Sequence, residues 1–224
     1  MGVDIVELTG NHNLDRGSKA YLYTLSLYQQ RGWKVYGGGT NTEKAREAII
    51  VENHGNKLAF IGCNVAGPDI AWAGKDTPGA ATCDLDYMAA EVKRLRSEGV
   101  LPIVTLQAWE TEDYAPAPMQ RPNDFVRLAQ AGAVIVSGSQ SHVPQGFKFV
   151  GDSLVHFGLG NLFFDQNDTF ITSRALIDRH VFYKGRYLGT ELYPVMLEDF
   201  ARPRPMSDVE RLDFLSKIFQ VSGW

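Results

Sequence analysis

Apolar positions along the chain change period in a regular order. Val3 to Thr9 is a short run rich in β-branched residues, Gly10-Asn11-His12 breaks it, and Tyr21, Leu25 and Tyr28 then recur at helical spacing between Ser18 and Arg31. This predicts strand, loop and helix. Val35 and Tyr36 run into Gly37-Gly38-Gly39, after which Asn41 or Thr42 can cap a short helix ending at Arg46. The runs Ala48 to Glu52 and Lys57 to Cys63 flank Asn53-His54-Gly55-Asn56 and predict a hairpin. Leu85 to Glu98 is amphipathic through Met88, Val92 and Leu95, Gly99 ends it, and the apolar run Val100 to Leu106 predicts a buried strand. Phe125 to Ala131 predicts a helix and Ala133 to Ser137 a further strand.

Loops follow three of these strands: Gly10 onward, Gln107 to Pro118, and Gly138 to Gln145. In open α/β sheets the carboxyl ends of strands are where sites collect. The segment Asn64 to Thr82, punctuated by Gly67, Pro68, Gly74, Pro78 and Gly79, is longer than connections in compact domains usually are. After Phe147 the pattern alternates as in antiparallel strands: Phe147 to Val150, Leu154 to Phe157, Leu162 to Phe164, Ala175 to Tyr183 and Arg186 to Tyr193. Ser207-Asp208-Val209-Glu210 is a capping box, opening a helix with an expected apolar stripe of Leu212, Leu215, Ile218 and Phe219. The expectation is one α/β domain over residues 1–224, with residues 207–224 forming a helix packed on it. A parallel strand is normally covered on both faces, so one opening at Val3 predicts a domain incomplete at its N-terminal side, within a longer protein.

Composition narrows the function classes. With 22 Lys and Arg against 26 Asp and Glu, the net charge of −4 supplies no basic stripe for nucleic acid, and nucleic acid is not an expected partner. No apolar run approaches the roughly 20 residues needed to span a bilayer, so any membrane association is expected through a segment outside this chain. Cys63 and Cys83, twenty residues apart without a recognisable spacing pattern, read as two free thiols.

Side chains with acid-base or metal-ligand potential fall in the post-strand loops: Asn11, His12 and Asp15; Gln107, Glu110, Glu112 and Asp113; Gln140 and His142. Asn11, His12, Gln107, Gln140 and His142 are expected around one cleft within about 10 Å, the scale of a small-molecule pocket. Asp15 either orients His12 or caps the helix near Gly17, and the cap is the preferred reading. Asn161 faces the site or caps a turn. Trp72 and Trp109 could stack on a sugar or peptide chain, although packing is the more common role. His54 and His180 read as structural or exposed, and Arg16, Lys19 and Arg121 as solvated cations able to attract an anionic polymer.

Four motifs in order carry a family resemblance from about Val3 to Asp165. They are Gly10-Asn11-His12-Asn13-Leu14-Asp15-Arg16-Gly17; Gly37-Gly38-Gly39-Thr40-Asn41 with Ala45-Arg46; Ala131-Gly132-Ala133 with the segment Ser137 to Gln145; and Gly158-Leu159-Gly160-Asn161-Leu162-Phe163-Phe164-Asp165. This pattern resembles the CapA family of bacterial poly-γ-glutamate capsule proteins. The resemblance implies a metallophosphoesterase-like four-layer α-β-β-α sandwich with two mixed sheets and metals at the strand ends. It implies a role in capsule or poly-γ-glutamate biosynthesis at the cell envelope, outside the cytoplasm, with an anionic polymer such as polyglutamate and other capsule-synthesis proteins as partners. The alternatives are a metal-dependent phosphoesterase-type hydrolase and a binding domain of that fold without turnover.

By the same resemblance Asn11 is a metal ligand and His12, with Asp15, the catalytic general acid. Gln107, Gln140 and His142 fall at further ligand positions, and Glu110 or Glu112 at that of a nearby glutamate. Trp109, Glu110 and Asn161 are the expected substrate contacts. Two of the ligand positions that are imidazoles in the wider superfamily are Gln107 and Gln140 here. Imidazole suits Zn, Fe and Mn, whereas a neutral carboxamide oxygen is a weak, hard donor. A divalent metal is therefore expected to bind weakly or not at all.

Overall fold

The computed structural model describes residues 2–166, 169–199 and 201–224. In chain order the elements are β1 (Ile5–Glu7), α1 (Gly17–Gln30), β2 (Lys34–Tyr36), β3 (Gly38–Gly39), α2 (Thr42–Arg46), β4 (Ile49–Asn53), β5 (Asn56–Asn64), β6 (Gly79–Ala80), α3 (Leu85–Ser97) and β7 (Leu101–Gln107). They continue with α4 (Pro122–Ala131), β8 (Ile135–Ser139), β9 (Phe147–Val150), β10 (Ser153–His156), β11 (Arg174–Tyr183), β12 (Arg186–Glu198), β13 (Arg202–Pro205) and α5 (Asp208–Val221).

A six-stranded mixed sheet of order β4-β5-β7-β8-β10-β9 organises the chain. Its four central strands run parallel, and an antiparallel strand closes each edge. Alternation along the strands sets the two layers beside it, because successive side chains point to opposite faces. Ile61, Cys63, Val104 and Leu106 face α3 and α4, meeting Met88, Val92, Phe125 and Leu128. Leu58, Phe60, Leu101, Ile103 and Ile135 face the other way, toward Phe182 and Tyr187 of the β11–β12 hairpin. That second side is built from smaller pieces, the parallel pair β1–β2 and the antiparallel three-stranded β11-β12-β13, while the short pair β3–β6 packs against α2. The helix after β13 docks through Phe214 and Ile218 against Leu176 and Met196.

Several expectations change here. Leu162 to Phe164 is not a strand; Phe163 and Phe164 are exposed in an irregular stretch after paired Leu159 and Gly160. The C-terminal helix forms with its capping box closed between Ser207 and Glu210, but its apolar face differs. Phe214 and Ile218 are the buried pair, while Leu212 points to solvent. Helix α1 starts without a side-chain cap, so Asp15 is not its N-cap residue. The cysteines are joined: Cys63 and Cys83 form a disulfide with Cα atoms 4.9 Å apart. Strand β5 and the start of α3 bring them together, a three-dimensional proximity that the spacing of two cysteines does not encode.

The three glycines after β2 serve close approach. Gly37 has φ of +72°, and a side chain at Gly38 would run into the Leu8 carbonyl and the Tyr21 hydroxyl. A side chain at Gly39 would meet the backbone of Lys44 and Ala45.

Two buried glutamines hold the loop after β7. Gln120 Nε2 donates to Gln145 Oε1 (3.1 Å) and Gln145 Nε2 donates back to Gln120 Oε1 (2.8 Å). Gln120 also donates to the Trp109 carbonyl (2.9 Å), and Gln145 to the Ala115 carbonyl (3.2 Å). The loop is thus tied at both ends by side chains rather than by a sheet.

Two stability measurements test this account. Reducing the disulfide, which closes a loop with a sequence separation of 20, should lower the unfolding free energy by about 3 kcal/mol, read from urea denaturation with and without reductant. An unchanged midpoint would show that the bond does not constrain the unfolded chain. Gln145→Leu leaves the Gln120 amide and the Ala115 carbonyl without this partner. It should cost roughly 1–3 kcal/mol and speed amide exchange between residues 113 and 120.

Candidate functional site

The carboxyl ends of β5, β7 and β8 lie side by side because these strands pair in parallel, with Asn64 opposite Gln107 and Gln107 opposite Ser139. Asn64 and Gln107 are polar residues buried at two of these strand ends, and each reaches a loop through its side-chain amide. Asn64 is fully buried: its Nδ2 donates to the Thr9 carbonyl (2.8 Å), and its Oδ1 accepts from Gly67 N (2.6 Å) and Trp72 Nε1 (3.0 Å). It therefore fixes the loop after β1 and the long segment after β5 on one strand end. Nothing in the sequence reading singles out Asn64; its position at a buried strand end is the signal that finds it.

At the next strand end Gln107 Nε2 donates to Asn11 Oδ1 (3.1 Å), joining residues 96 positions apart. Gln107 Oε1 is buried and has no hydrogen-bond partner. Beyond β8, Gln140 (φ +77°) and His142 (φ +57°) adopt left-handed backbone conformations, which non-glycine residues rarely hold unless their surroundings impose them. Gln140 Nε2 donates to Glu110 Oε1 (3.1 Å), and the same oxygen lies 3.6 Å from His142 Nε2.

Asn161 fixes the orientation of His142. Its Nδ2 donates to the Thr172 carbonyl (3.3 Å) and the Gln166 carbonyl (3.5 Å), so its Oδ1 is the atom facing His142 Nδ1 at 2.8 Å. Nδ1 must then carry a hydrogen, donated to Asn161 Oδ1, and Nε2 is the nitrogen turned toward Glu110. Phe164 stacks on the same imidazole at 5.3 Å. His142, Glu110, Thr111, Glu112, Thr169 and Thr172 line a cavity of about 440 Å³.

The expected residues thus gather as two hydrogen-bonded groups on neighbouring strand ends: Asn11 with Gln107, and Gln140, Glu110, His142 and Asn161. His12 stands apart from both groups in its bonding. Its side chain is 71% exposed, and its Nδ1 lies 2.9 Å from Asp15 Oδ2. Asp15 therefore orients the imidazole. Trp109 is 40% exposed rather than packed, whereas Trp72 is half-buried against Asn64. Arg121 is engaged by Asp124 at 2.6 Å and is not a free cation. Arg16 and Lys19 are exposed, with no ion-pair partner among the described residues. His180 is largely buried, which lowers its pKa, and it bonds Thr190 Oγ1 at 2.6 Å; His54 sits in the β4–β5 turn with φ of +48°.

The donor set does not fit a tight transition-metal site by itself. Among the described residues no three His, Cys, Asp or Glu side chains cluster to hold a metal ion. His142 Nε2 and Glu110 form one pair, and the other nearby donors are carboxamides engaged with each other or with Glu110.

Comparison with known proteins gives this geometry a setting. A candidate 5′-nucleotidase from Staphylococcus aureus superposes with a TM-score of 0.57 at 11% identity, covering 99% of this chain and 42% of that one. Such distant likeness shows the fold, which is of the metallophosphoesterase type. The capsule biosynthesis protein CapA of Bacillus anthracis is 24% identical over 92% of this chain and 50% of its own length. The PGA biosynthesis protein CapA of Bacillus subtilis is 26% identical over 92% of this chain and 54% of its own length. The chain thus spans about half the length of the curated relatives it matches. The bacterial capsule synthesis protein PGA_cap family matches residues 1–166, a span that holds every strand-end side chain described above, and the chain belongs to that family.

Proposed function

We propose that this domain takes part in capsule or poly-γ-glutamate biosynthesis at the cell envelope by binding the polymer at the β5, β7 and β8 strand ends. The observation that carries the reading is the gathering of side-chain amides there, Gln107 bonded to Asn11 and Gln140 to Glu110. Polyglutamate is a chain of amide groups bearing carboxylates. Carboxamides offer both a donor and an acceptor, which matches the amides. Exposed Arg16 and Lys19, a few residues beyond Asn11, match the carboxylates. Trp109 offers an exposed aromatic face for the chain between them. The His142–Glu110 pair, steadied by Asn161, lies at the rim of the cavity, where it can exchange a proton with bound polymer or a partner group.

A second reading, phosphoesterase-type hydrolysis, is favoured by one observation: Asp15 holds His12 Nδ1, which leaves Nε2 of an exposed imidazole free to act as a general acid. General acid catalysis alone supplies only about 10²–10⁴-fold of a much larger enhancement. The donor set described above supplies no tight site for a metal-activated hydroxide.

Three outcomes are expected. In calorimetric titration with poly-γ-glutamate at low salt, Arg16→Ala with Lys19→Ala should weaken binding roughly fivefold or more, at about 1 kcal/mol for the lost ion pairs, and flatten its salt dependence. A chain that does not bind the polymer, or a double variant that binds equally well, would overturn the reading. Gln107→His with Gln140→His should raise Mn or Zn affinity, on the order of tenfold, measured by competition with a chelating dye. No gain would mean that these two positions do not face one ion. With Mn or Mg added, the chain should show no turnover of phosphate esters or poly-γ-glutamate; turnover that His12→Ala abolishes would establish the second reading over the first.

A further inference from the structure

The tip of the β11–β12 hairpin is held rigidly from one side. Its two-residue turn, Lys184-Gly185, has φ of +48° and +72°, the left-handed pair that a tight hairpin turn requires. Phe182 and Tyr187, paired across the strands with ring centroids 5.7 Å apart, pack inward against the cluster of Leu101, Ile103 and Ile135 on the large sheet. Gly185 N donates to Asn56 Oδ1 (2.8 Å), and buried Asn56 donates to the Asn53 carbonyl (3.1 Å), which bonds the tip to the β4–β5 turn. Asn56 opens β5 and Asn64 closes it. At about 3.3 Å per residue, the hairpin tip thus lies roughly 26 Å along the sheet from the strand-end site.

The outward side of the tip is apolar. Alternation puts Val181 and Tyr183 on that face, where they are 47% and 58% exposed. Leu188, left unpaired where the register shifts between Val181 and Phe182, is 58% exposed beside them. Inward packing is already supplied by Phe182 and Tyr187, so these three side chains do nothing for the fold that polar ones would not do better in water.

Cations surround them. Lys184 Nζ lies 5.3 Å from the Tyr183 ring centroid, and exposed Lys184 and Arg186 have no ion-pair partner among the described residues. Lys57, on the adjoining turn, pairs with Glu52 at 3.2 Å, both exposed. Glu191, farther along the outward face, is already bonded by Arg179 Nε at 2.8 Å. The tip is therefore locally positive on a chain whose net charge is −4.

We propose that this tip docks on an anionic bilayer surface. Val181, Tyr183 and Leu188 enter the headgroup region, where a tyrosine ring places its apolar body and polar hydroxyl at matching depths, and Lys184, Arg186 and Lys57 meet lipid phosphates. Such a contact is shallow and needs no spanning segment; among the described residues no helix is long and apolar enough to cross a membrane. Docking at this end turns the β5, β7 and β8 strand ends away from the bilayer. Charge decides against a second copy of the chain as the occupant, because the outward face offers Glu191 only in a bond with Arg179 and so brings no unpaired carboxylate to Lys184 and Arg186.

Co-sedimentation with vesicles tests the assignment. The chain should bind phosphatidylcholine vesicles containing about one third phosphatidylglycerol, and at least roughly tenfold more weakly when the anionic lipid is left out or salt is raised to about 1 M. Lys184→Asn with Arg186→Gln, and separately Tyr183→Ser with Leu188→Ser, should each weaken binding about tenfold without changing the melting temperature. No free cysteine is present among the described residues, so Leu188→Cys can carry a single polarity-sensitive dye. Its emission should shift to the blue on adding anionic vesicles, whereas the same dye at Ser97→Cys on α3 should not respond. No binding to the anionic vesicles, binding that both double variants retain in full, or equal dye responses at the two positions would overturn the proposal. So would a dimer mass in light scattering that Tyr183→Ser with Leu188→Ser dissolves, which would give the face to a second copy.

Discussion

Four parallel strands buried between layers must end somewhere, and their ends bring polar groups out of a sheet that has no partner left to offer. An unmet buried hydrogen-bonding group costs about 1–3 kcal/mol, comparable to a sizeable share of a domain's net stability. In this fold much of that cost is met by side-chain amides, although Gln107 Oε1 keeps no partner. Asn64 closes β5 onto two loops, Gln107 closes β7 onto Asn11, and the reciprocal Gln120–Gln145 pair holds the loop that carries Trp109 and Glu110. Loop course, and hence the geometry of every exposed group at that end of the sheet, follows from these few bonds.

The same chemistry bears on function. A carboxamide is a neutral group with a donor and an acceptor on one plane, so a set of them can both stitch loops together and recognise an amide-containing chain. An imidazole in the same place would offer a metal a ring nitrogen, whereas the carboxamide of Gln140 offers only a weak, hard oxygen and donates its N–H to Glu110. Glutamine at residues 107 and 140 leaves this strand-end cluster poor in metal-ligating groups, on a scaffold of the metallophosphoesterase type. The His142 ring is held in orientation by Asn161 at Nδ1 and by Phe164 stacked on its face.

Elements with strong periodicity were legible in the sequence. The helices α3 and α4, the strands β5, β7 and β8, the β4–β5 and β11–β12 hairpins and the capping box at Ser207 all lie where apolar spacing and turn chemistry put them. The loop positions of Asn11, Gln140 and His142 were legible too, because a strand's end can be read from where its apolar run stops; Gln107, expected to open a loop, is the last paired residue of β7. What could not be read were facts of spatial proximity. The Cys63–Cys83 bond, the pairing of Asp15 with His12 rather than with a helix end, and the burial of Asn64 each depend on which segments come together in three dimensions. Phe214 was missed and Leu212 chosen because α5 meets β12 along a narrow contact, and a stripe counted from sequence alone can be rotated by one position. The two-residue strands β3 and β6 are too short to have a period.

Gly37-Gly38-Gly39 looks like a hinge in one dimension and acts as a spacer gauge in three. Where β3 passes Leu8 and Tyr21 on one side and the start of α2 on the other, the chain has room for backbone alone. The separation between the β1 loop, with its asparagine and histidine, and the α2 turn is therefore set by the thickness of a peptide unit. Evolutionary drift in this protein should be freer at its charged surface loops, such as Lys75-Asp76, than at these three smallest residues, where a single added methyl group would wedge two elements apart.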